Sequence, residues 1–327
     1  MKKRGLGIAA ACYPTGVAGG GDLSQALVKV QPDGTVDLII GAVDVGQGST
    51  TVLAQMAAEE LGIRYDQVNV VNQDTDSNPI SFGTFASRVT FFDGNAVVAA
   101  AKDAKSILFE LAAKDLKASP ENLEVMDGMI FIREDPENSV PVADVARKAI
   151  FGSGRPIVGQ GYYTRPQSRP DPETGSVNSF STMAWAATMA EVEVDTETGE
   201  VKVLKIVSAY DIGKAINPLL VEGQIEGGIV MGIGDALMEH LYPYYPSLQW
   251  QPETFGDYVI PTAVDVPELE QEVLECPSTN GPYGAKGFGE MTANLPSPAI
   301  VNAIYDAVGI WMDDLPATPE RVLRALE

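Results

Sequence analysis

Histidine and cysteine are nearly absent from this sequence. One histidine, His240, and two cysteines, Cys12 and Cys276, occur in 327 residues. Two cysteines so far apart make no disulfide framework, and no C-x-x-C pair exists to hold zinc or an iron–sulfur cluster. A single imidazole excludes a His-rich metal site and leaves a Ser-His-Asp triad without support. His240 closes a helical pattern over 223–240 and reads as a capping or surface residue. Basic residues are scarce as well: 22 Lys and Arg stand against 45 Asp and Glu, a formal net charge of −23. Such a chain is repelled by nucleic acid and by anionic membrane surfaces. No run approaches the roughly 20 apolar residues of a membrane span. The opening MKKRGLGIAAACYPTG places basic residues ahead of an apolar run, as a secretory signal does. That run is only about eight residues, the bottom of the range for a signal, and Gly5 and Gly7 interrupt it. It reads as a buried first strand, and the expected compartment is the cytoplasm.

What is present is a globular composition, 45% hydrophobic and 20% charged, in a chain long enough for two subdomains. The segment Ala26 to Ile40 alternates and turns at Pro-Asp-Gly, a hairpin signal. A helix pattern over 50–61, a strand at QVNVVNQ and a helix over 87–113 follow. Beyond 181 the arrangement recurs: AEVEVDTETGEVKV is a second hairpin turning at Thr198-Gly199, and it too runs into Asp-x-Gly, Asp211 to Gly213 echoing Asp44 to Gly46. Hairpins mixed with helices, without regular βαβ alternation, indicate an α+β fold built from two related hairpin-plus-helix subdomains. The expected division is 1–160 for the first, 161–180 as a linker or crossing loop rich in Pro, Gly and Ser, and 181–327 for the second.

Chemistry concentrates in glycine-rich loops. GPYGAKGFGE, Gly281 to Glu290, holds four glycines in ten residues and delivers a carboxylate where a helix begins. GQGST offers the carboxamide of Gln47 and two hydroxyls; GTFASRVT offers hydroxyls and an arginine; GQIEGG offers Gln224, read as opening a helix. Carboxamides donate and accept together, which suits a heterocycle such as a pterin, and amides at helix starts suit a phosphate. N-capping and turn chemistry explain each loop equally well when it is taken alone. None is a Walker or Rossmann loop. Tyr13, after an apolar strand and before Pro14-Thr15-Gly16, is placed to project a phenol into a substrate pocket, although an ordinary core or turn tyrosine fits the same position.

The stretches GAVDVGQGSTTVLAQMAAEELG, DTDSNPISFGTFASRVTFFDGNAV, DIGKAINPLLVEGQIEGGIVMGIGDAL, TFGDYVIPTAVDVP and GPYGAKGFGEMTANLPSPAIVNAI resemble, in order, the C-terminal half of the molybdopterin-binding subunit of the xanthine dehydrogenase and aldehyde oxidase family. The resemblance implies a molybdopterin cofactor, in dinucleotide form, carrying molybdenum. It places Gln47, Gly48, Phe85, Ala86, Ser87, Arg88 and Gln224 at the cofactor and makes Glu290 the catalytic base, with no protein side chain on the metal. The family's N-terminal half, with its own Gly-Gly-Phe-Gly loop, is absent from this sequence. The expected arrangement is a split one, most similar to the medium molybdopterin subunit of nicotinate dehydrogenases. That implies a large molybdopterin subunit, a 2Fe–2S subunit and an FAD subunit as partners, NADP as acceptor, a selenium ligand on molybdenum and hydroxylation of nicotinate to 6-hydroxynicotinate. A purine or aldehyde hydroxylase of the same family, or a non-catalytic cofactor-holding subunit, remains the alternative.

Overall fold

The computed structural model describes residues 1–18, 21–165, 171–177, 179–240 and 254–327. The strands are β1 Lys2–Pro14, β2 Leu23–Val30, β3 Val36–Ile40, β4 Val68–Val71, β5 Leu123–Met126, β6 Met129–Ile132, β7 Asp135–Pro141, β8 Ile157–Thr164, β9 Met183–Asp195, β10 Val201–Asp211 and β11 Glu268–Leu274. The α-helices are α1 Ser49–Leu61, α2 Val89–Leu116, α3 Val142–Arg147, α4 Pro218–Leu237, α5 Met291–Asn294, α6 Pro296–Val308 and α7 Pro319–Leu326. Among the described residues no helix is long and apolar enough to cross a membrane.

The chain forms two compact units, one of residues 14–182 with 277–287, the other of residues 1–13, 183–276 and 288–327. The division is therefore interleaved, unlike the sequential halves expected from the sequence. Its cause is pairing: β1 lies beside β9 in the sheet order β1-β9-β10-β11 and so joins the later unit. The expected crossing loop over 161–180 starts later than composition implied. Residues 161–164 belong to β8, which pairs antiparallel with β2 from Ile157 opposite Val30 to Thr164 opposite Leu23. The remainder falls partly on 166–170 and 178, outside the described residues.

The unit of 14–182 is built on the sheet β4-β3-β2-β8 and carries a separate meander, β5-β6-β7. The β2–β3 hairpin pairs Ala26 with Ile40 and Val30 with Val36. The chain then crosses through α1 to bring β4 parallel to β3, since parallel neighbours need a crossover. Val28, Leu38, Ile40, Leu53, Met56, Phe91 and Phe92 fill the core between sheet and helices. Gly159 and Gly161 explain how α2 lies on β8: a Cβ on either would stand 2.1 Å from the carbonyl oxygen of Ala100 or Ala96.

The unit of 1–13, 183–276 and 288–327 repeats the plan. The β9–β10 hairpin pairs Val192 with Val203, and after α4 the strand β11 runs parallel to β10. The glycine pair recurs too: Gly5 and Gly7 of β1 face Ala303 and Ala299 of α6, with a Cβ 2.2 Å from either carbonyl oxygen. A G-x-G strand against an alanine-rich helix thus appears once in each unit, and the two units are related hairpin-plus-helix structures of an α+β fold. β1 is a strand, as its sequence implies, but an edge strand whose even-numbered residues from Lys2 to Cys12 are exposed. The glycines that break the apolar run are its contacts with α6.

Candidate functional site

In the unit of 14–182 the two expected cofactor loops are joined. Asp44 organises the first. Its carboxylate accepts from the amides of Gly46 (2.9 Å), Gly48 (3.2 Å) and Thr50 (3.1 Å) and from the Thr50 hydroxyl (2.9 Å). Burial alone would push this carboxyl up, but those hydrogen bonds outweigh it and hold it below the usual carboxylate range. The start of α1, expected to receive a phosphate, therefore already holds an internal anion. Gly46 and Gly48 supply the left-handed φ of 110° and 82° that the turn needs. The Gln47 side chain is engaged within its own loop, its Oε1 accepting from the Val45 amide at 2.7 Å and its Nε2 donating to the Val43 carbonyl at 3.4 Å. The same Val43 carbonyl accepts from the Thr84 hydroxyl at 2.6 Å, which ties this loop to the next.

That next loop is strained. Ala86 and Ser87 both adopt left-handed φ, 51° and 49°, a conformation costing non-glycine residues of order 1–3 kcal/mol where it is held. Its neighbours hold it: the Gly16 amide donates to the Ala86 carbonyl at 2.9 Å, and Gly287 lies so close that a Cβ there would stand 1.7 Å from the Ser87 carbonyl oxygen. Thr15 pins Gly287 in turn, its hydroxyl oxygen accepting from the Gly287 amide at 3.1 Å. Phe85 is exposed and packs against Phe82 with ring centroids 5.9 Å apart.

Arg88 departs from its expected place at the cofactor. Its guanidinium is fully buried, donating to Asp22 (2.7 Å), Asp93 (3.1 Å), Ser81 (3.2 Å), Ser24 (2.7 Å) and the carbonyls of Gly83 (3.1 Å) and Leu23 (2.8 Å). Burial raises the Asp93 carboxyl, and the nearby guanidinium offsets part of that rise. The side chain braces the loop from behind. Asp22 and Thr15 escaped the sequence reading because their partners lie 66 and 272 residues away; Asp93 is only five residues from Arg88, but no local signal turns that arginine inward.

In the other unit Glu290 stands at the junction into α5, as its sequence position implies, and is exposed. The Tyr13 hydroxyl donates to Glu290 Oε2 at 2.8 Å, joining positions 277 residues apart. Gln224 does not open a helix. α4 begins at Pro218, behind Asn217, whose Oδ1 accepts from the Leu220 amide at 3.1 Å. Gln224 therefore lies in the second turn, and its Oε1 is 4.0 Å from where a Cβ on Gly289 would stand. One turn later Gly228 lets α4 close on α5: a Cβ there would meet the Thr292 hydroxyl at 2.0 Å. Tyr13, Gln224 and Glu290 are thus gathered in one unit, and Gln47, Gly48 and Phe85 to Arg88 in the other. Among the described residues no group of three or more His, Cys, Asp or Glu is placed to hold a metal ion.

Comparison with known proteins gives this arrangement a family. The sequence profile described as a molybdopterin cofactor-binding domain matches residues 1–267. Glu290 lies beyond that span, yet the similarity to whole relatives includes it. The putative xanthine dehydrogenase molybdenum-binding subunit XdhA of Escherichia coli K12 is 32% identical over 98% of this chain and 42% of its own length. The nicotine 6-hydroxylase large subunit of Paenarthrobacter nicotinovorans is 36% identical over 92% of this chain and 36% of its own. Among solved structures, quinoline 2-oxidoreductase from Pseudomonas putida 86 superposes with a TM-score of 0.85 at 30% identity, over 99% of this chain and 42% of that one. The chain spans about two fifths of the length of these relatives. It belongs to the molybdopterin-binding subunits of the xanthine dehydrogenase and aldehyde oxidase family.

Proposed function

We propose that this chain is one part of a molybdenum hydroxylase that inserts water-derived oxygen into an electron-poor N-heterocycle, with Glu290 as the base. The hydrogen bond from the Tyr13 hydroxyl to Glu290 Oε2 carries the reading. It fixes a carboxylate at the end of a glycine-rich loop, with an aromatic side chain beside it to meet a ring substrate. In the first loop the amides of Gly46, Gly48 and Thr50 are taken by Asp44. But the Gln47 carboxamide, bonded once at each end within its loop, has a second N–H and a second lone pair that suit the hydrogen-bonding edge of a pterin, and the strained backbone at Ala86 and Ser87 is held as a preformed cradle. When bound, molybdenum–molybdopterin supplies oxygen drawn from water and accepts two electrons. Glu290 receives the proton released as the attack proceeds, and Tyr13 holds the carboxylate in position.

Nicotinate as substrate is supported by two relatives whose names specify N-heterocycles, nicotine and quinoline. XdhA favours a purine instead; nicotinate and xanthine assayed on the same preparation separate the two. The dinucleotide cofactor form, selenium on molybdenum, NADP as acceptor, a cytoplasmic setting and the large molybdopterin, 2Fe–2S and FAD partner subunits belong to the same proposal.

Glu290→Gln tests the role of the base. Reduction of molybdenum by substrate, followed in rapid mixing and normalised to metal content, is expected to fall by roughly 10²–10⁴-fold, with molybdenum and pterin content unchanged. A normal rate in this variant removes Glu290 from the chemistry.

A further inference from the structure

The loop that carries Glu290 is secured by a side chain that the proposed chemistry leaves unused. Where the chain enters α5, the Met291 amide donates to the Phe288 carbonyl at 3.0 Å and the Ala293 amide to the Glu290 carbonyl at 3.3 Å. The carbonyl between them, that of Gly289, accepts from the Thr292 hydroxyl at 2.6 Å. Thr292 is 1% exposed, so little water competes for this bond. The Gly289 carbonyl belongs to the peptide that joins Gly289 to Glu290. Glycine leaves such a peptide free to visit conformations closed to other residues, and anchoring its oxygen removes that freedom. Glu290 is then held at both ends, its backbone by Thr292 and its carboxylate by the Tyr13 hydroxyl at 2.8 Å.

Thr292 also sets the approach of α4. A Cβ on Gly228 would stand 2.0 Å from the Thr292 hydroxyl oxygen and 2.4 Å from its Cβ, and one on Gly232 would meet the Ala293 carbonyl oxygen and Pro296 at 2.9 Å. Gln224, Gly228 and Gly232 follow at intervals of four and share one face of α4. That face brings the Gln224 carboxamide over the same loop, its Oε1 4.0 Å from where a Cβ on Gly289 would stand. Helix propensity does not call for threonine at this place, since it is among the weaker helix formers.

We infer that Thr292 is a positioning residue for the reaction: its hydroxyl sets the peptide plane that carries Glu290, and its side chain sets the distance of α4, and so of Gln224, from that plane. It touches no reacting atom and acts through Glu290. The inference rests on the proposed function, in which Glu290 is the base. Misplacing a reacting group by about 1 Å can slow a reaction on the order of a hundredfold, and without the hydroxyl the Gly289 carbonyl loses the partner that prevents such a shift.

The test compares Thr292→Val, which keeps the shape and removes the hydroxyl, with Thr292→Ser, which keeps the hydroxyl, in the holoenzyme isolated from its own host. Reduction of molybdenum by nicotinate or xanthine is followed in rapid mixing and normalised to metal content. In the valine variant the limiting rate is expected to fall about tenfold or more, with the half-saturating substrate concentration unchanged, because ground-state binding does not use the base. Serine is expected to recover most of the rate. In a Glu290→Gln background the valine substitution is expected to add nothing, since the proton acceptor it positions is already gone. A valine variant isolated without molybdenum is replaced by Thr292→Ala, which removes the hydroxyl without crowding α4, read in the same way. A smaller fall in the hydroxyl-free enzyme, or a change in half-saturation instead of rate, overturns the inference. So do equal losses with valine and serine, or a further fall in the Glu290→Gln background; all of these leave the proposed function standing. A normal rate in Glu290→Gln itself, or a wild-type enzyme inert to both heterocycles, defeats the proposed function and the inference with it.

Discussion

Arg88 shows how a side chain next to a binding motif can belong to the interior. All its donors are spent on the protein, two of them on the buried carboxylates of Asp22 and Asp93. Replacing it with methionine leaves two acids in a dry interior without a counter-charge. Breaking a buried ion pair from one side costs about 3–5 kcal/mol, so Arg88→Met is expected to lower stability to denaturant by an amount of that order. Arg88→Lys is expected to recover little, since one ammonium cannot reproduce a planar fork reaching six acceptors. An Arg88→Met chain as stable as wild type would show that the cluster braces nothing. Nothing in SFGTFASR tells a reader that the arginine turns inward. Its direction follows from the left-handed backbone at Ala86 and Ser87, which depends on neighbours at 15–16 and 287.

At the scale of elements, the helix α1 is held at its start by Asp44 and not by a side chain at its N-cap, Gly48. The folded-state carboxyl lies below its usual range. Its contribution to stability is therefore complete above that range and lost as the pH falls through the depressed value. Asp44→Asn is expected to reduce stability at neutral pH and to flatten the acid limb of the unfolding profile; identical profiles for the two proteins would contradict this. Hairpins, helices and the repeat were legible because alternation and Pro-Asp-Gly or Thr-Gly turns are local signals. Two elements were not. Glycine at 159 and 161 looks like loop composition, yet it serves contact with α2, a reason visible only beside Ala96 and Ala100. The start of α4 was written in Asn217-Pro218, a cap followed by a first-turn proline, but the glycines at 223, 227 and 228 drew the boundary later. The position of Glu290 could be read from its motif. The hydroxyl that holds it, 277 residues away, could not.

For the molecule as a whole, the relatives are more than twice as long as this chain, and the proposed function shares the cofactor between this chain and a partner subunit. The isolated chain is expected to retain well under one molybdopterin per molecule, and the complete assembly close to one, when both are measured by oxidative pterin release; full occupancy in the isolated chain would refute this. The interleaving of the two units has a further consequence, in time. β1 and its partner β9 lie roughly 170 residues apart along the chain. At about 5–20 residues per second of synthesis, β1 exists for on the order of ten seconds or more before β9 has been made. Throughout that interval the backbone hydrogen-bonding edge of β1 lacks the strand it pairs with, which leaves an apolar first strand with an open edge in need of shelter while the rest of the chain is being made.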